Sequence, residues 1–413
     1  MKKFLTMLLS VILAVSSLSL FTACGDNGEE SGNEKVAALI CLHGEGSSYD
    51  KNFIDAFKAA CAAKGLTEDQ YTIVVDIAED EPAYEKAAEF ADAGYKAVFA
   101  DSFGHEKFMI KAAKEFPNTQ FCHATGTAGG FLNTESTADD APANFHNAFA
   151  SIYEGRYLAG VAAGLKLIEL YGEDITADEA KIGYVGAWPF AEVKSGLTSF
   201  YLGVKSIVPN TTMEVRFTNS WYDPVAEQTA AEALIQGGAK LVSGHADSYG
   251  VPTACKNANV PNVFYNGTTN EDTFVIASKI NWQPYFEHML DGVMNNKEIV
   301  KDYCGTLATG SVQITALGKA AAAGTQAVLD DVKAKLMAGT IKVFDCSTFT
   351  VEGEHLTECL ADVVDDGTFT PETNVIKTEN GITFFDESAF RSAPYFELII
   401  DGITVGEDIP SNG

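Results

Sequence analysis

The chain has 413 residues, and its 57 acidic and 28 basic residues give a formal net charge of −29. Nucleic-acid binding depends on many Lys and Arg contacts to phosphates, so this charge argues against it and we predict no nucleic-acid partner. Hydrophobic residues make up 46% of the chain, which is enough for large cores, and the length is typical of two domains.

The N-terminus has the pattern of an export signal. Two lysines precede an apolar, uncharged stretch over residues 4–21, which leads into Thr22-Ala23-Cys24. This ending resembles the bacterial lipobox, in which cleavage before the cysteine leaves that cysteine lipidated. We therefore predict a signal peptide over residues 1–23 and a lipid on the cysteine. An ordinary cleaved signal and a retained anchor are the alternatives, although the stretch is short for a membrane span.

A polar linker follows the signal. Residues 24–35 are rich in Gly, Ser, Asn and Glu and contain almost no apolar side chain. Such a composition cannot form a core and behaves as a flexible tether. No second long apolar run occurs, so the sequence predicts a soluble body that its lipid holds on the extracytoplasmic face of the cell membrane.

Short apolar strands alternate with amphipathic helices along the first part of this body. The predicted strands are 36–42, 71–77, 97–101 and 120–123, and the predicted helices are 49–64, 82–93 and 105–116. This alternation is typical of a parallel sheet with helices on both faces.

The same rhythm restarts after a long predicted helix over residues 153–170. The predicted strands are 181–186, 213–218, 240–243, 262–265, 274–279 and 312–315, and the predicted helices are 190–208, 224–236, 248–257, 284–294 and 318–337. Two such sets predict an α/β protein with two doubly wound parallel-sheet lobes. Residues 346–413 contain fourteen acidic and two basic residues and are predicted to form an acidic extension of short strands and loops, which the sequence does not assign to either lobe.

The cysteines do not form a recognisable framework. Without Cys24 seven remain, and an odd number argues against complete disulfide pairing. Neither CxxC nor a paired Cys/His spacing occurs, so we predict no metal site and no cofactor. Local pairing of Cys346 with Cys359 stays open.

Ligands of open parallel sheets bind beyond the carboxyl ends of the strands, so the residues after each strand are the candidates. The strand-exit positions that we select are Phe103, Trp188, Asp247, Asn266 and Trp282. Aromatic surfaces with a few directional polar groups describe a pocket for a flat, polar, neutral molecule. Stacking on such aromatics is worth about 1–3 kcal/mol per base.

Other strand-exit residues have structural explanations. Asp223 precedes Pro224 at a predicted helix start, which is the pattern of an N-cap. Trp221 either contacts ligand or packs between helix and sheet. His245 with Asp247 suggests a general-base pair, but no nucleophile or metal-hydrolase motif accompanies them, so we predict no enzyme.

Six segments of the body match one protein family. They are FADSFG at 99–104, FCHATG at 121–126, YEGRYLAG at 153–160, IGYVG at 182–186, NSWYDP at 219–224 and HADS at 245–248. These segments resemble the basic membrane protein (BMP) family of solute-binding lipoproteins, which serve ABC importers of purine nucleosides and nucleobases.

The resemblance implies a type I periplasmic-binding fold, in which two lobes joined by crossing segments close on a ligand between them. The crossings are expected near residues 148, 277 and 300. The first lobe would then contain residues 36–148 and about 277–300, and the second would contain 149–276 and about 301–345. The implied partners are a purine nucleoside or base and an ABC permease.

The resemblance also implies how the ligand is held. The base would stack between aromatics drawn from Phe53, Phe103, Trp188, Phe190 and Trp282. Its polar edges or ribose hydroxyls would meet Asp50, Asp247 or Asn266. The segment Asp50-Lys51-Asn52-Phe53 differs from the family's Asp-Lys-Ser-Phe-Asn by Asn52 for Ser and Ile54 for Asn.

The sequence thus predicts a binding component of a purine importer. A binding protein for a sugar or another small polar solute is the alternative within the same class, because aromatic walls also stack on sugar rings. A lipoprotein sensor and an exported hydrolase using the His245 and Asp247 region are alternatives from other classes.

Overall fold

The computed structural model describes residues 34–127, 141–363 and 370–407. The predicted signal peptide, Cys24 and all but the last two residues of the predicted tether lie outside the described residues. In the described ranges, no helix combines the length and the apolar character that crossing a membrane requires.

Strands and helices alternate along most of the chain. The strands are β1 (Ala37–Ile40), β2 (Tyr71–Val74), β3 (Ala97–Ala100), β4 (Gln120–Ala124), β5 (Phe145–Ala150), β6 (Lys181–Gly186), β7 (Thr212–Phe217), β8 (Val242–His245), β9 (Asn262–Tyr265), β10 (Phe274–Ile280), β11 (Asp302–Gly305), β12 (Val312–Ile314), β13 (Leu360–Ala361), β14 (Thr373–Asn374), β15 (Ile376–Glu379), β16 (Ile382–Phe385) and β17 (Ile403–Val405). The helices are α1 (Ser48–Ala63), α2 (Glu81–Asp92), α3 (Glu106–Glu115), α4 (Ile152–Tyr171), α5 (Ala191–Lys205), α6 (Pro224–Gln236), α7 (Gly250–Ala258), α8 (Gln283–Asn295) and α9 (Thr325–Met337), with a short 3-10 helix at Phe103–His105.

The first lobe is built on a parallel sheet of six strands in the order β11-β5-β4-β3-β1-β2. Its central strands are buried on both faces, which is why β1 and β3 are continuous apolar runs rather than alternating ones. Helices α1 and α8 pack together, and α2 packs with α3. The predicted parallel sheet is therefore confirmed.

The second lobe is built on a sheet of seven strands in the order β12-β10-β9-β8-β6-β7-β17. All neighbours are parallel except β12, which runs antiparallel to β10. Helix α4 packs closely against α5 and also contacts β10 and α9. The two lobes together confirm the predicted α/β class with two doubly wound sheets.

The chain passes between the two sheets at positions that differ from the expected ones. Strand β10 pairs with β9 up to Ser278, so residues 277–280 lie in the second lobe rather than the first. Strand β11 pairs in parallel with β5, so residues 302–305 lie in the first lobe rather than the second. Both differences arise from strand pairing between distant residues, which local patterns do not report.

The C-terminal extension is folded onto both lobes. Strand β17 extends the second sheet beside β7. In the first lobe, Ser392 donates its backbone N–H to Asp302 Oδ2 at 2.7 Å. Between these anchors, the rings of Phe344 and Phe396 stack with centroids 4.5 Å apart. The extension is therefore part of the globular body.

All the cysteines that the structure describes are free thiols, including Cys346 and Cys359, whose pairing the sequence left open. Cys61 and Cys122 are buried among apolar side chains, where they act as small hydrophobes. Cys41 and Cys255 are also buried, and the Cys41 thiol lies beside the carboxyl group of Asp101.

Candidate functional site

A cavity lies between the two lobes, at the carboxyl ends of both sheets. The space not occupied by protein atoms amounts to about 430 Å³ and is partly open to solvent. We call it the interlobe cavity. Its lining residues are Leu42, Tyr49, Asp50, Asp101, Ser102, Phe103 and Thr125 from the first lobe and Glu192, Trp221, His245, Asp247 and Tyr265 from the second.

The first lobe contributes two buried carboxylates that are held by backbone donors. Asp50 lies in the first turn of α1, and its Oδ1 accepts the N–H of His43 at 2.7 Å. Asp101 directly follows β3, and its Oδ1 accepts the N–H of Leu42 at 3.1 Å. Burial, followed by the charge of Asp50, raises the pKa of Asp101 well above its ordinary value.

The second lobe contributes a buried ionisable group around Arg156. Its guanidinium lies 3.7 Å from the centroid of the Tyr265 ring and donates to the carbonyl of Gly244 at 2.9 Å. His245 Nε2 lies 3.3 Å from Glu192 Oε1. Burial lowers the pKa of His245, and the Arg156 charge lowers it further, so the imidazole is neutral at pH 7.

Glu192 and Asp247 complete the polar lining. Burial raises the pKa of Glu192 to about 7, against the opposing effect of Arg156. Burial also raises the pKa of Asp247, with contributions from the charges of Asp50 and then Glu227. Several carboxyl groups thus face one small space, and their mutual repulsion favours a ligand that supplies hydrogen-bond donors and disfavours an anion.

The structure brings together four of the sequence-selected residues. Asp50, Phe103 and Asp247 line the interlobe cavity. Phe190 lines a second cavity that adjoins the first, and its ring centroid lies 5.9 Å from that of Phe103 in the opposite lobe. Trp188 stacks on Phe190 with ring centroids 5.7 Å apart and an interplanar angle of 8°, so it packs against a lining residue.

The remaining selected residues lie away from the cavity lining. Phe53 and Trp282 are buried in the hydrophobic core, with ring centroids 4.9 Å apart. Phe53 lies one helical turn after Asp50, on the side of α1 that packs against Phe286 of α8. Asn266 turns the chain after β9 with φ of 55°, and its Oδ1 accepts the N–H of Ile280 at 3.1 Å.

The sequence also left several lining residues unassigned. They are Leu42, Tyr49, Asp101, Ser102, Thr125, Glu192, Trp221, His245 and Tyr265. Five of them lie at strand ends, so the rule that ligands bind at strand exits already pointed to them: Asp101, Ser102, Thr125, His245 and Tyr265. Glu192 and Tyr49 instead lie in the first turns of helices, and the Tyr49 hydroxyl donates to the carbonyl of Asp101 at 2.6 Å.

The two lobes are in direct contact around the cavity. Ser48, the first residue of α1, donates its N–H to the carbonyl of Asp247 at 2.8 Å. Asn52 Nδ2 donates to the carbonyl of Ile280 at 2.7 Å. These hydrogen bonds join the two lobes directly.

Two lobes of this topology around a cleft define the periplasmic-binding class of folds. A solute-binding protein of an ABC transporter system from Conexibacter woesei has a similar fold, with a TM-score of 0.58, 19% identity and coverage of 75% of this chain and 98% of that one. A second, from Aeropyrum pernix, gives a TM-score of 0.60 at 15% identity, covering 78% of this chain and 94% of that one.

Residues 40–346 match the Bmp family, described as ABC transporter substrate-binding protein PnrA-like, and the chain belongs to this family. The family comprises solute-binding proteins rather than enzymes, so the hydrolase alternative is set aside.

Two curated relatives are each similar to part of the chain. A purine-binding protein of Brucella abortus is 33% identical over 238 residues, which is 55% of this chain and 61% of that protein. A putative ABC transporter glucose-binding protein of Haloferax volcanii is 28% identical over 246 residues, which is 59% of this chain and 56% of that protein. The match thus spans about three fifths of the length of these relatives.

Proposed function

We propose that the protein binds a purine nucleoside or nucleobase outside the cytoplasmic membrane and delivers it to an ABC importer. The observation that carries this proposal is the interlobe cavity, which combines aromatic side chains with inward-facing carboxyl groups. Phe103, Tyr49 and Trp221 offer surfaces for a flat ring, and the carboxyl groups of Asp50 and Asp247 offer acceptors for its donors.

A purine suits this combination of groups. Its ring N–H and exocyclic amine groups donate hydrogen bonds at the edge of a flat aromatic surface, and ribose adds further hydroxyl donors. Ionised carboxylates accept hydrogen bonds only, so they select donors. The purine-binding name of the Brucella relative points in the same direction.

A phosphate on the ligand would be unfavourable. A nucleotide would bring its negative charge into a space that already contains Asp50, Asp101, Glu192 and Asp247. In a buried site this repulsion is screened far less than in water. We therefore expect nucleosides or bases to bind, and the corresponding monophosphates to bind much more weakly.

The direct test is identification of the ligand that the protein carries. Freshly purified protein would be denatured, and the released small molecules would be analysed by mass spectrometry. Calorimetry with adenosine, guanosine, inosine, the free bases and the monophosphates would then rank affinities. Release of a purine together with rejection of monophosphates supports the proposal, and tight binding of monophosphates contradicts it.

A sugar is the second candidate, because the Haloferax relative carries a glucose-binding name and aromatic side chains also stack on sugar rings. The same calorimetric series with glucose, ribose and arabinose separates the two. A sugar that binds more tightly than every purine replaces the first proposal. If neither a purine nor a sugar binds, the result favours the alternative of a lipoprotein sensor for another ligand.

The proposed location rests on the N-terminal sequence alone. We propose that Cys24 is lipidated after removal of residues 1–23 and that the lipid keeps the protein beside its permease. Cells labelled with a clickable fatty acid would incorporate label into the wild type but not into Cys24→Ala. Equal labelling of the two forms would remove the lipid anchor from the proposal.

A further inference from the structure

A second cavity adjoins the interlobe cavity, and we call it the adjoining cavity. Four residues line both cavities, so the two lie side by side: Phe103, Thr125, Glu192 and Trp221. The adjoining cavity has about 570 Å³ of space not occupied by protein atoms, part of which is open to solvent.

The C-terminal extension supplies one wall of the adjoining cavity. Arg391, Ala393, Pro394 and Glu397 all line it. These residues lie beyond residue 346, where the match to the family ends. This wall is therefore a feature of the extension rather than of the matched family region.

The wall is held in place by buried contacts. Residues 392–396 are all buried. Ser392 donates its N–H to Asp302 at 2.7 Å, Tyr395 donates its N–H to Glu387 Oε2 at 3.3 Å, and Phe396 stacks on Phe344. A wall fixed in this way loses little conformational freedom when a ligand packs against it.

The surface of the adjoining cavity is mainly apolar. Phe149, Pro189, Phe190, Ala393 and Pro394 all contribute to it. Among its described lining residues Arg391 is the only cation, and the same wall carries the carboxylate of Glu397. Such a surface suits an apolar group better than a phosphate or a sugar.

We propose that the adjoining cavity is a subsite for an apolar substituent of the ligand whose ring lies in the interlobe cavity. The ligand class would be purine nucleosides that carry a hydrophobic group of benzyl size, attached either at the exocyclic amine or at the ribose 5′ position. This inference rests on the proposed binding of purine nucleosides. Burial of the substituent against fixed apolar walls supplies the gain in affinity.

Calorimetry on the full mature protein tests the subsite. The probes are adenosine, guanosine, N6-benzyladenosine, N2-benzylguanosine and the 5′-O-benzyl ethers of both nucleosides. At least one benzyl derivative is expected to bind about tenfold more tightly than its parent. If the parents bind and every derivative binds equally or more weakly, the subsite is wrong while the proposed function stands. If no purine nucleoside binds, the proposed function fails and the subsite fails with it.

Two variants test whether the gain in affinity of the benzyl derivative arises in the adjoining cavity. Ala393→Leu places a larger side chain in its wall, and Phe190→Ala removes an aromatic surface from it. Each is expected to lower the preference for the benzyl derivative over its parent at least fivefold. The control Phe390→Ala alters an exposed aromatic of the same extension that lies outside both linings and should keep the full preference. A preference unchanged in both test variants would overturn the inference, and melting curves identify any variant that fails to fold.

Discussion

At the scale of single residues, the site is governed by carboxyl groups brought close together in a buried space. Asp101, Glu192 and Asp247 all have pKa values raised first of all by burial. The same physical cause lowers the pKa of His245. Burial thus opposes the charged form of these acids and of the imidazole, and a ligand that donates hydrogen bonds favours the ionised form of the acids.

Asp247→Asn is expected to weaken nucleoside binding by about tenfold or more, because it replaces an acceptor-only carboxylate with an amide that also presents donors. Asp223→Asn is the matched control. The Asp223 side chain accepts from the N–H groups of Val225 and Ala226 as the N-cap of α6, and Asn caps helices as well as Asp does. Calorimetry measures the nucleoside affinity of both variants. Equal affinities for the two variants would contradict the role of Asp247.

Ligand affinity should increase with pH up to about pH 7. The pKa of Glu192 is about 7 in the structure, and a ligand donor would stabilise its ionised form and lower that pKa in the complex. The complex then binds fewer protons than the free protein, so affinity rises with pH below about 7, by at most tenfold per unit for each proton released, and levels off above it.

Calorimetry from pH 5.5 to 8.5 in buffers of different ionisation enthalpy measures this release directly. Glu192→Gln removes one titrating group and should flatten the rise. Arg156, His245 and Asp247 also face this group and remain in the variant. The same steep rise in the Gln variant would assign the proton to another carboxyl.

At the scale of secondary-structure elements, close packing of α4 on α5 supports the second lobe. Gly160 and Gly203 lie where the two helix backbones meet. A Cβ on Gly160 would lie 2.1 Å from the carbonyl oxygen of Phe200, and one on Gly203 would lie 2.2 Å from that of Tyr157. Backbone atoms cannot rotate away as a side chain can, so these positions require glycine.

Gly160→Ala should destabilise the protein by about 1–3 kcal/mol or more, because the helices must separate to admit the methyl group. Gly44→Ala is the control: its Cβ would meet Val75 at an ordinary contact distance of 3.7 Å, and a change within about 0.5 kcal/mol is expected. Denaturant unfolding of both variants gives the comparison. Equal stability would mean that α4 and α5 can shift apart without penalty.

Residues that follow three of the strands turn the chain sharply. Thr125, Asn219 and Asn266 follow β4, β7 and β9 and have φ of 71°, 55° and 55°. Asn tolerates this left-handed conformation, whereas a β-branched threonine is unusual there. Thr125 lines both cavities, so the sharp turn that it makes lies at the site itself.

At the scale of the whole molecule, the extension is joined to the main core. Phe344, Phe385 and Phe396 belong to the same hydrophobic cluster as the helices and strands of both lobes. Together with the pairing of β17 to β7 and the bond from Ser392 to Asp302, this packing links the extension to each lobe.

Phe396→Ala should therefore lower the unfolding free energy by about 3–5 kcal/mol, as expected for deletion of a fully buried ring. Phe390→Ala, which alters a ring of the same extension that is 46% exposed, should change it by less than about 0.5 kcal/mol. Thermal and denaturant unfolding measure both. A small effect of both substitutions would mean that the extension is only loosely attached to the body.

Much of the architecture was predictable because it follows from local pattern. Apolar runs between amphipathic segments predicted the two parallel sheets, and their carboxyl ends predicted where the cavity lies. Asp50, Phe103 and Asp247 were selected, and they line it. The Asp223 cap was also predictable, because an acid before a proline satisfies the first N–H groups of a helix whatever lies around it.

The surroundings of individual side chains and the pairing of distant strands depend on the tertiary structure. Phe53 and Trp282 lie near strand exits and helix starts, yet packing turns both rings into the core, since a side chain's surroundings depend on the elements that cover it. The membership of β11 in the first sheet comes from pairing with β5, more than 150 residues away. The place of the extension likewise depends on buried surfaces that only the assembled lobes present. Sequence by itself thus determined the elements and the edge at which ligand binds, whereas long-range packing determined which side chains reach it.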